Sequence, residues 1–237
     1  MKKIWTISFI YLVFICANCY AEVKPFLTEK EISSGAEFLP LPPKPTEAAF
    51  YNDWLRYEWG KTMRHTERGQ QAKEDANHTL EYFSKIYSKP LGINISQENT
   101  PEIWILMKRL LATTYICKDK AKSRIMRIRP FVQFNEHTSV PEDEEKLETN
   151  SSYPSGHTTM GWGLALVLAE INPARQDEIL KRGFEYGESR VIAGFHYQSD
   201  VDHARIITSV LVNRLHDNSD FIKQLQKAKD EFAHKNK

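Results

Sequence analysis

Three separated clusters in this sequence carry side chains able to bind an anion and move a proton. The first is Ser155-Gly156-His157, preceded by Tyr153-Pro154. Pro154 breaks the acidic loop before it, Ser155 is a good helix N-cap, and the apolar run at 158–171 reads as a buried helix. A helix start carries unpaired N–H groups and a positive partial charge, which together make an anion site. His157 falls in that first turn, with a ring able to donate a proton near neutral pH. Taken alone, a Ser-Gly-His triplet is more often an ordinary capped helix with a surface histidine.

The second cluster is Lys122 and Arg129, seven positions apart. On a helix both charges would leave one face about two turns apart, with Pro130 ending the segment. Two cations on one face repel unless an anion lies between them, so the pair suits a phosphate. With Lys118, Lys120, Arg124 and Arg127 nearby, the same stretch also reads as a solvated basic face. The third cluster is Ser189-Arg190, then His196 and Asp200. A carboxylate beside a histidine can take one ring N–H, fix the tautomer, and leave the other nitrogen free to attack or to take a proton. His203 opens a metal alternative, in which His196, Asp200 and His203 share one helical face. Lys122, Arg129 and Arg190 would repel a metal ion, so neither metal nor cofactor is expected.

The elements that must position these residues read as helices. Residues 22–45 are polar and proline-rich (FLPLPPKP) and form an extended lead-in. Helical spacing follows over residues 46–64, capped by Thr46, with Phe50, Trp54, Tyr57 and Met63 in phase, and over residues 67–87. Asn99-Thr100-Pro101 starts another helix that turns basic at Lys118. Residues 135–152 form an acidic, solvated loop. Asn172-Pro173 separates the helix begun at His157 from one over 174–192, Ser199 caps a helix over 199–216, and residues 220–234 form a charged amphipathic tail helix. No alternating strand of useful length occurs. The expected fold class is all-α, a single multi-helix domain.

Composition bounds the rest. A chain of 237 residues, 41% hydrophobic and 27% charged, can bury one sizeable core. Lys2-Lys3, an apolar run from Ile4 to Ala17 and Cys19-Tyr20-Ala21 have the three parts of a secretory signal peptide, so residues 1–21 are expected to be a leader and residues 22–237 the working domain. Losing Lys2 and Lys3 takes the formal charge from +1 to −1, which gives no reason to expect nucleic acid or a membrane surface as partner. Cys16 and Cys19 leave with the leader, so Cys117 is alone and should pack as a small apolar residue.

Lys122 with six residues before Arg129-Pro130, then Pro154-Ser155-Gly156-His157, then Ser189-Arg190 with five residues before His196 and three before Asp200, resembles the three-part signature of the type 2 phosphatidic acid phosphatase superfamily, which also holds the vanadium haloperoxidases. The flanking text (MRIRPF, NSSYPSGHT, ALVLAEINP, ESRVIAGFH, QLQKAKDEF) is similar to the bacterial class A non-specific acid phosphatases, from about Leu39 to Phe232. The resemblance implies an all-helical, metal-free, periplasmic phosphohydrolase of broad range and acidic optimum, often dimeric, that acts on small phosphoesters, nucleotides included. It makes His196 the nucleophile, Asp200 its orienting group and His157 the proton donor. Lys122, Arg129, Arg190, Ser155 and the Gly156 amide would hold the phosphoryl oxygens. A disulfide common in the family would fall at Ser139 and Ala193, which cannot form it. Where many relatives place a Gly-Gly pair facing the substrate, this chain reads Glu81-Tyr82, which would narrow the pocket and let the tyrosine stack on a base. That leaves an apyrase-like diphosphohydrolase as the alternative and a haloperoxidase as a third reading.

Overall fold

A computed structural model describes residues 23–236; the expected leader at 1–21 lies outside them. Ten α-helices occur among the described residues, with no strand: α1 (Phe50–Met63), α2 (Glu67–Glu74), α3 (Leu80–Leu91), α4 (Pro101–Lys122), α5 (Pro130–Gln133), α6 (Glu144–Leu147), α7 (Gly156–Ile171), α8 (Gln176–Ile192), α9 (Gln198–Leu215) and α10 (Ser219–Lys235). Most starts follow local capping chemistry. Thr66, Thr79, Ser155 and Asn218 each accept a backbone N–H from the first turn, and Pro101 opens α4.

Helix α7 organises the domain because it is apolar around its circumference and needs neighbours on every side. It packs most extensively on α8 and then on α9 and α4, while α10 packs chiefly on α4 and also reaches α7. Two glycines let α7 and α8 approach closely. A Cβ on Gly183 would sit 2.3 Å from the Ala165 Cβ, and one on Gly161 would sit 2.4 Å from the Tyr186 ring. The resulting core gathers Leu106, Leu110, Leu164, Leu168, Ile207 and Phe221. Cys117 is fully buried within it, and burial pushes its thiol up to about 12, so it behaves as an apolar side chain.

Four expectations are corrected. Helix α1 begins at Phe50 rather than Thr46, because tight turns return Glu47 N–H to Lys44 and Phe50 N–H to Glu47. The single helix expected over 67–87 is two, broken where the Asp75 carboxylate turns inward and the Asn77 side chain takes the Thr79 N–H. Helix α9 starts at Gln198, so Ser199 is inside its first turn and Asp200 caps it by accepting the Tyr197 N–H at 2.9 Å. Finally, Lys122 and Arg129 do not share a helix. The helix α4 stops at Lys122, and Pro130 opens α5 rather than closing the earlier segment.

Candidate active site

The three clusters meet at one cavity of about 160 Å³, walled by Lys122, Arg129, Gly156, His157, Arg190 and His196 with Lys118, His78, Tyr115, Leu147, Asn150 and Met160 completing it. Each element delivers its residue by a local device. The segment from Ile125 to Arg129 is extended, and its pattern is inverted: Arg127 and Arg129 are buried while Met126 and Ile128 are 63% and 52% exposed. Period-two alternation thus sends both arginines inward. After α8 the chain reverses at Gly194, whose φ of 94° suits glycine alone, and the N–H groups of Phe195 and His196 both return to the Arg190 carbonyl. That turn locks Arg190 and His196 to each other.

His196 sits between opposite charges. Its Nδ1 lies 3.4 Å from Asp200 Oδ2 and 3.4 Å from Ser152 Oγ, while Nε2 faces Arg129 Nη1 at 3.2 Å. With Nδ1–H toward the carboxylate, the lone pair is on Nε2, at the cavity. Burial, then Arg129, hold the ring well below the usual histidine range, so it is neutral. Burial alone would raise the Asp200 carboxyl. His196, Arg127 and Ser152 outweigh it and hold the group far below the usual carboxylate range.

Three residues that the sequence reading did not place at the site complete this arrangement, Arg127 among them, which it gave to a solvated basic face. Ser152 Oγ donates to Asp200 Oδ2 at 2.5 Å. Arg127 bridges Asp200 Oδ1 at 2.5 Å and Asp53 Oδ2 at 2.7 Å. Asp53, 1% exposed on α1, also takes the Ser199 N–H and hydroxyl. The available signals were a charged residue on the apolar stripe with Phe50 and Tyr57, and the inverted pattern at Arg127.

On the other wall, His157 Nε2 donates to the Ala76 carbonyl at 3.0 Å, so a proton for transfer must be carried on Nδ1. Burial, then Arg190 and His78, hold this ring well below the usual range too, so it is neutral in the free site. Ala76 is held by its neighbour. Asp75 is fully buried and accepts from Arg182, from Tyr82 at 2.7 Å and from Ser189 at 2.6 Å.

Arg129 donates to Asn150, Ser151, Phe195 and His196, whereas Arg190 is short of partners. Arg190 is 1% exposed, stacks 4.5 Å over the Phe195 ring, and leaves Nε and Nη1 without a hydrogen-bond partner. Lys122 donates to the Ser151 carbonyl, and burial together with Arg129 brings its ammonium down to about 7. Buried donors of this kind cost free energy unless an acceptor arrives. An oxyanion is the acceptor that fits.

Not every expected site residue lines the cavity. Ser155 Oγ is engaged by Thr158, whose N–H and hydroxyl it accepts, and its own N–H donates to the Asp200 carbonyl, tying α7 to α9. Gly156 leaves room for the Lys118 stem, which a Cβ would meet at 2.6 Å. Glu81 is exposed on α3 and Tyr82 is committed to Asp75, so neither walls the cavity. His203 pairs with the Tyr153 hydroxyl at 2.9 Å rather than with His196. Ser139 and Ala193 are nevertheless adjacent, joined by a backbone hydrogen bond of 2.9 Å.

Fold and site together define a helical protein built around a cationic cavity with a histidine on either wall. Residues 104–218 match the PAP2 superfamily. The chain is 42% identical to the non-specific acid phosphatase of Providencia stuartii, over 98% of both chains. It is 40% identical to that of Salmonella typhimurium, over 100% of this chain and 95% of the relative. It is also 34% identical to an acid phosphatase of Zymomonas mobilis, over 82% of this chain and 74% of the relative. The chain belongs to the PAP2 superfamily and, within it, to the non-specific acid phosphatase family.

Proposed function

We propose that the chain is an exported, metal-independent acid phosphatase that hydrolyses small phosphomonoesters through a phosphohistidine on His196. The observation that carries this reading is the neutral His196, backed by Asp200 at Nδ1 and with Nε2 turned to Arg129 at the cavity wall, with His157 on the same cavity. The names and near full-length identity of the relatives support the activity. Its leader at residues 1–21 would direct it to the periplasm, and among the described residues no helix is long and apolar enough to cross a membrane.

The phosphoryl group would lie among Lys122, Arg129, Arg190 and the amides at the start of α7, including Gly156, with Ser155 shaping that turn as its cap. These fixed positive groups stabilise charge on the equatorial oxygens, the task a metal performs in other sites. Nε2 of His196 forms the N–P bond, the P–O bond to the leaving group breaks, and the departing oxygen takes a proton from His157. Water then attacks phosphorus, yields its proton to His157, and the N–P electron pair returns to Nε2. The free site keeps His157 neutral, so the proton arrives with the substrate or is taken up once the phosphoryl anion offsets Arg190. That requirement accounts for an acidic optimum. The diphosphohydrolase alternative loses its support in Tyr82, whose hydroxyl is held by Asp75.

The test is trapping. Turnover of a radiolabelled phosphoester is quenched in alkaline detergent, where a phosphoramidate survives. Label should sit on His196, should be missing from His196→Ala, and should accumulate in His157→Ala given a good leaving group. A fully active His196→Ala enzyme would end the proposal.

A further inference from the structure

The chain leaves α8 at Ile192 and reaches the cavity again at His196, so the placement of three site residues depends on where this short reversal sits. Arg190 and His196 are joined through it, since the Phe195 and His196 N–H groups both return to the Arg190 carbonyl. Arg129 is joined as well, because its Nη1 donates to the Phe195 carbonyl at 3.1 Å. A displacement of residues 192–195 would carry two cations and the facing histidine with it.

Carbonyls that close a helix lack partners inside it, and those of Ile192 and Ala193 find theirs elsewhere. Ala193 takes the Ser139 N–H at 2.9 Å. Ile192 takes Nε of Arg64, also at 2.9 Å, from the C-terminal end of α1. The same guanidinium donates from Nη1 to the His137 carbonyl at 2.9 Å, and so ties together α1, the reversal and the loop at 137–139. A planar fork of donors can hold two carbonyls in a fixed relation, which a single ammonium cannot. Nη2 of Arg64 is buried without a partner and presses on Gly194, where a Cβ would lie 2.4 Å away. One turn earlier, Gly60 lets α1 lie against the end of α8, as a Cβ there would meet the Val191 carbonyl at 2.9 Å and the Ile192 Cα at 3.0 Å.

Other restraints on the reversal are slight. Its apolar packing is a small cluster of Phe131, Val140, Ala193 and Phe195, separate from the main core. Arg56, also on α1, meets the Glu188 carboxylate at 2.9 Å and the Gln198 side chain at 3.1 Å, contacts between side chains that leave the main chain free to shift. Arg64 grips the main chain itself.

We propose that Arg64 is a positioning residue for phosphoryl transfer: by clasping the Ile192 and His137 carbonyls it fixes the reversal that sets Arg190, Arg129 and His196 in place. The proposal rests on the phosphomonoesterase reading for what those three groups do.

Arg64→Met removes the fork and keeps much of the side chain's length. Phosphomonoesterase kcat should fall roughly 10- to 100-fold, the scale of a misplacement by up to about 1 Å, and sulfate should bind more weakly by calorimetry. Arg64→Lys keeps a cation that can reach one carbonyl at a time, so it should fall between, and it carries the test should Arg64→Met not fold. Arg56→Met is the control, expected to melt lower while kcat and sulfate affinity hold. Rescue separates positioning from mere stability. Ser139→Cys with Ala193→Cys, oxidised in the Arg64→Met background, ties the same loop to the same reversal without Arg64 and should restore most of the lost kcat, which reductant should then remove. An unchanged kcat in Arg64→Met, an equal loss in Arg56→Met, or no recovery once thiol titration shows the bridge closed would each overturn the proposal; where the thiols stay free, the first two outcomes decide. Sulfate binding weakened in Arg64→Met alone, in a protein whose unsubstituted form hydrolyses no phosphomonoester, would leave the clasp standing and remove the hydrolytic reading.

Discussion

Lys122 offers a measurement that depends on the site's electrostatics rather than on its turnover. Its ammonium is buried next to Arg129, and these two effects bring it down to about 7 in the free protein. An anion held between them reverses the second effect and returns the group toward its ordinary value. Above about pH 7, binding a dianion must then be accompanied by uptake of one proton, and affinity should fall about tenfold per pH unit, or about 1.4 kcal/mol. Below that point the lysine is protonated whether or not the anion is bound, so it contributes no slope. Sulfate is the ligand of choice because it stays dianionic where phosphate itself titrates. Calorimetric titration between about pH 7 and 9 should show about a 50-fold loss of sulfate affinity. Lys122→Met should bind weakly with that slope removed, and Lys122→Arg should bind without it because a guanidinium stays charged. A wild-type slope no steeper than that of Lys122→Met would show that the lysine is already an ordinary ammonium and that the reasoning about burial is wrong.

Other expectations follow from the same cavity. Arg190→Met removes a buried cation whose Nε and Nη1 have no partner, so phosphomonoesterase kcat/KM should drop roughly 10²-fold or more while the ligand-free melting temperature holds or rises; a large loss of stability would mean those nitrogens are paired after all. His157 and His196 are both depressed in the fold, so the unfolded chain binds more protons below its own histidine pKa of about 6.5. Ligand-free stability should therefore be full above that value and decline as pH falls below it, with Asp200 adding a second decline below about pH 4. Saturating sulfate should flatten the first decline in thermal melts, and a ligand-free melting temperature that rises on acidification would contradict it. Ser139→Cys with Ala193→Cys places two thiols where a backbone hydrogen bond already joins the two segments. Under oxidation they should close and stabilise the fold by up to about 4 kcal/mol, reversed by reductant; thiols that stay free would refute the pairing.

What could be read from the sequence was whatever a few neighbouring residues decide. Thr100-Pro101, Ser155 and the apolar run after it fix helix starts through their own backbone groups, and the structure has them where expected. The break at Asp75 was illegible because its cause lies in Arg182 and Ser189, more than a hundred positions away. The same holds for Lys122 and Arg129. Their spacing suggested one helix, but they are brought together by the Ser151 carbonyl, to which both donate, at 2.5 Å and 3.2 Å. Asp53 and Arg127 were missed for a related reason, since a charged residue reads as solvated until a partner elsewhere in the chain is known to meet it. Tyr82 was misjudged because its hydroxyl is drawn to Asp75, a contact across the α2–α3 break.

On the proposed phosphohistidine route, that hidden layer would let one site hold His196 neutral and still stabilise it after attack. A His196 bonded to phosphorus, as proposed, would carry a cationic ring, so the charge behind Nδ1 would have to be negative. Asp200 alone, unpaired and fully buried, would be driven to take up a proton by desolvation, and a neutral carboxyl could not help. Arg127 alone would keep Asp200 ionised but would cancel its charge. By placing Asp53 on the other fork of the same guanidinium, the fold divides Arg127 between two carboxylates and leaves the trio with one net negative charge. That charge faces His196 from one side while Arg129 faces it from the other. The ring rests neutral between them, and on the proposed route the balance would shift toward the cation only when a phosphoryl group engages Arg129.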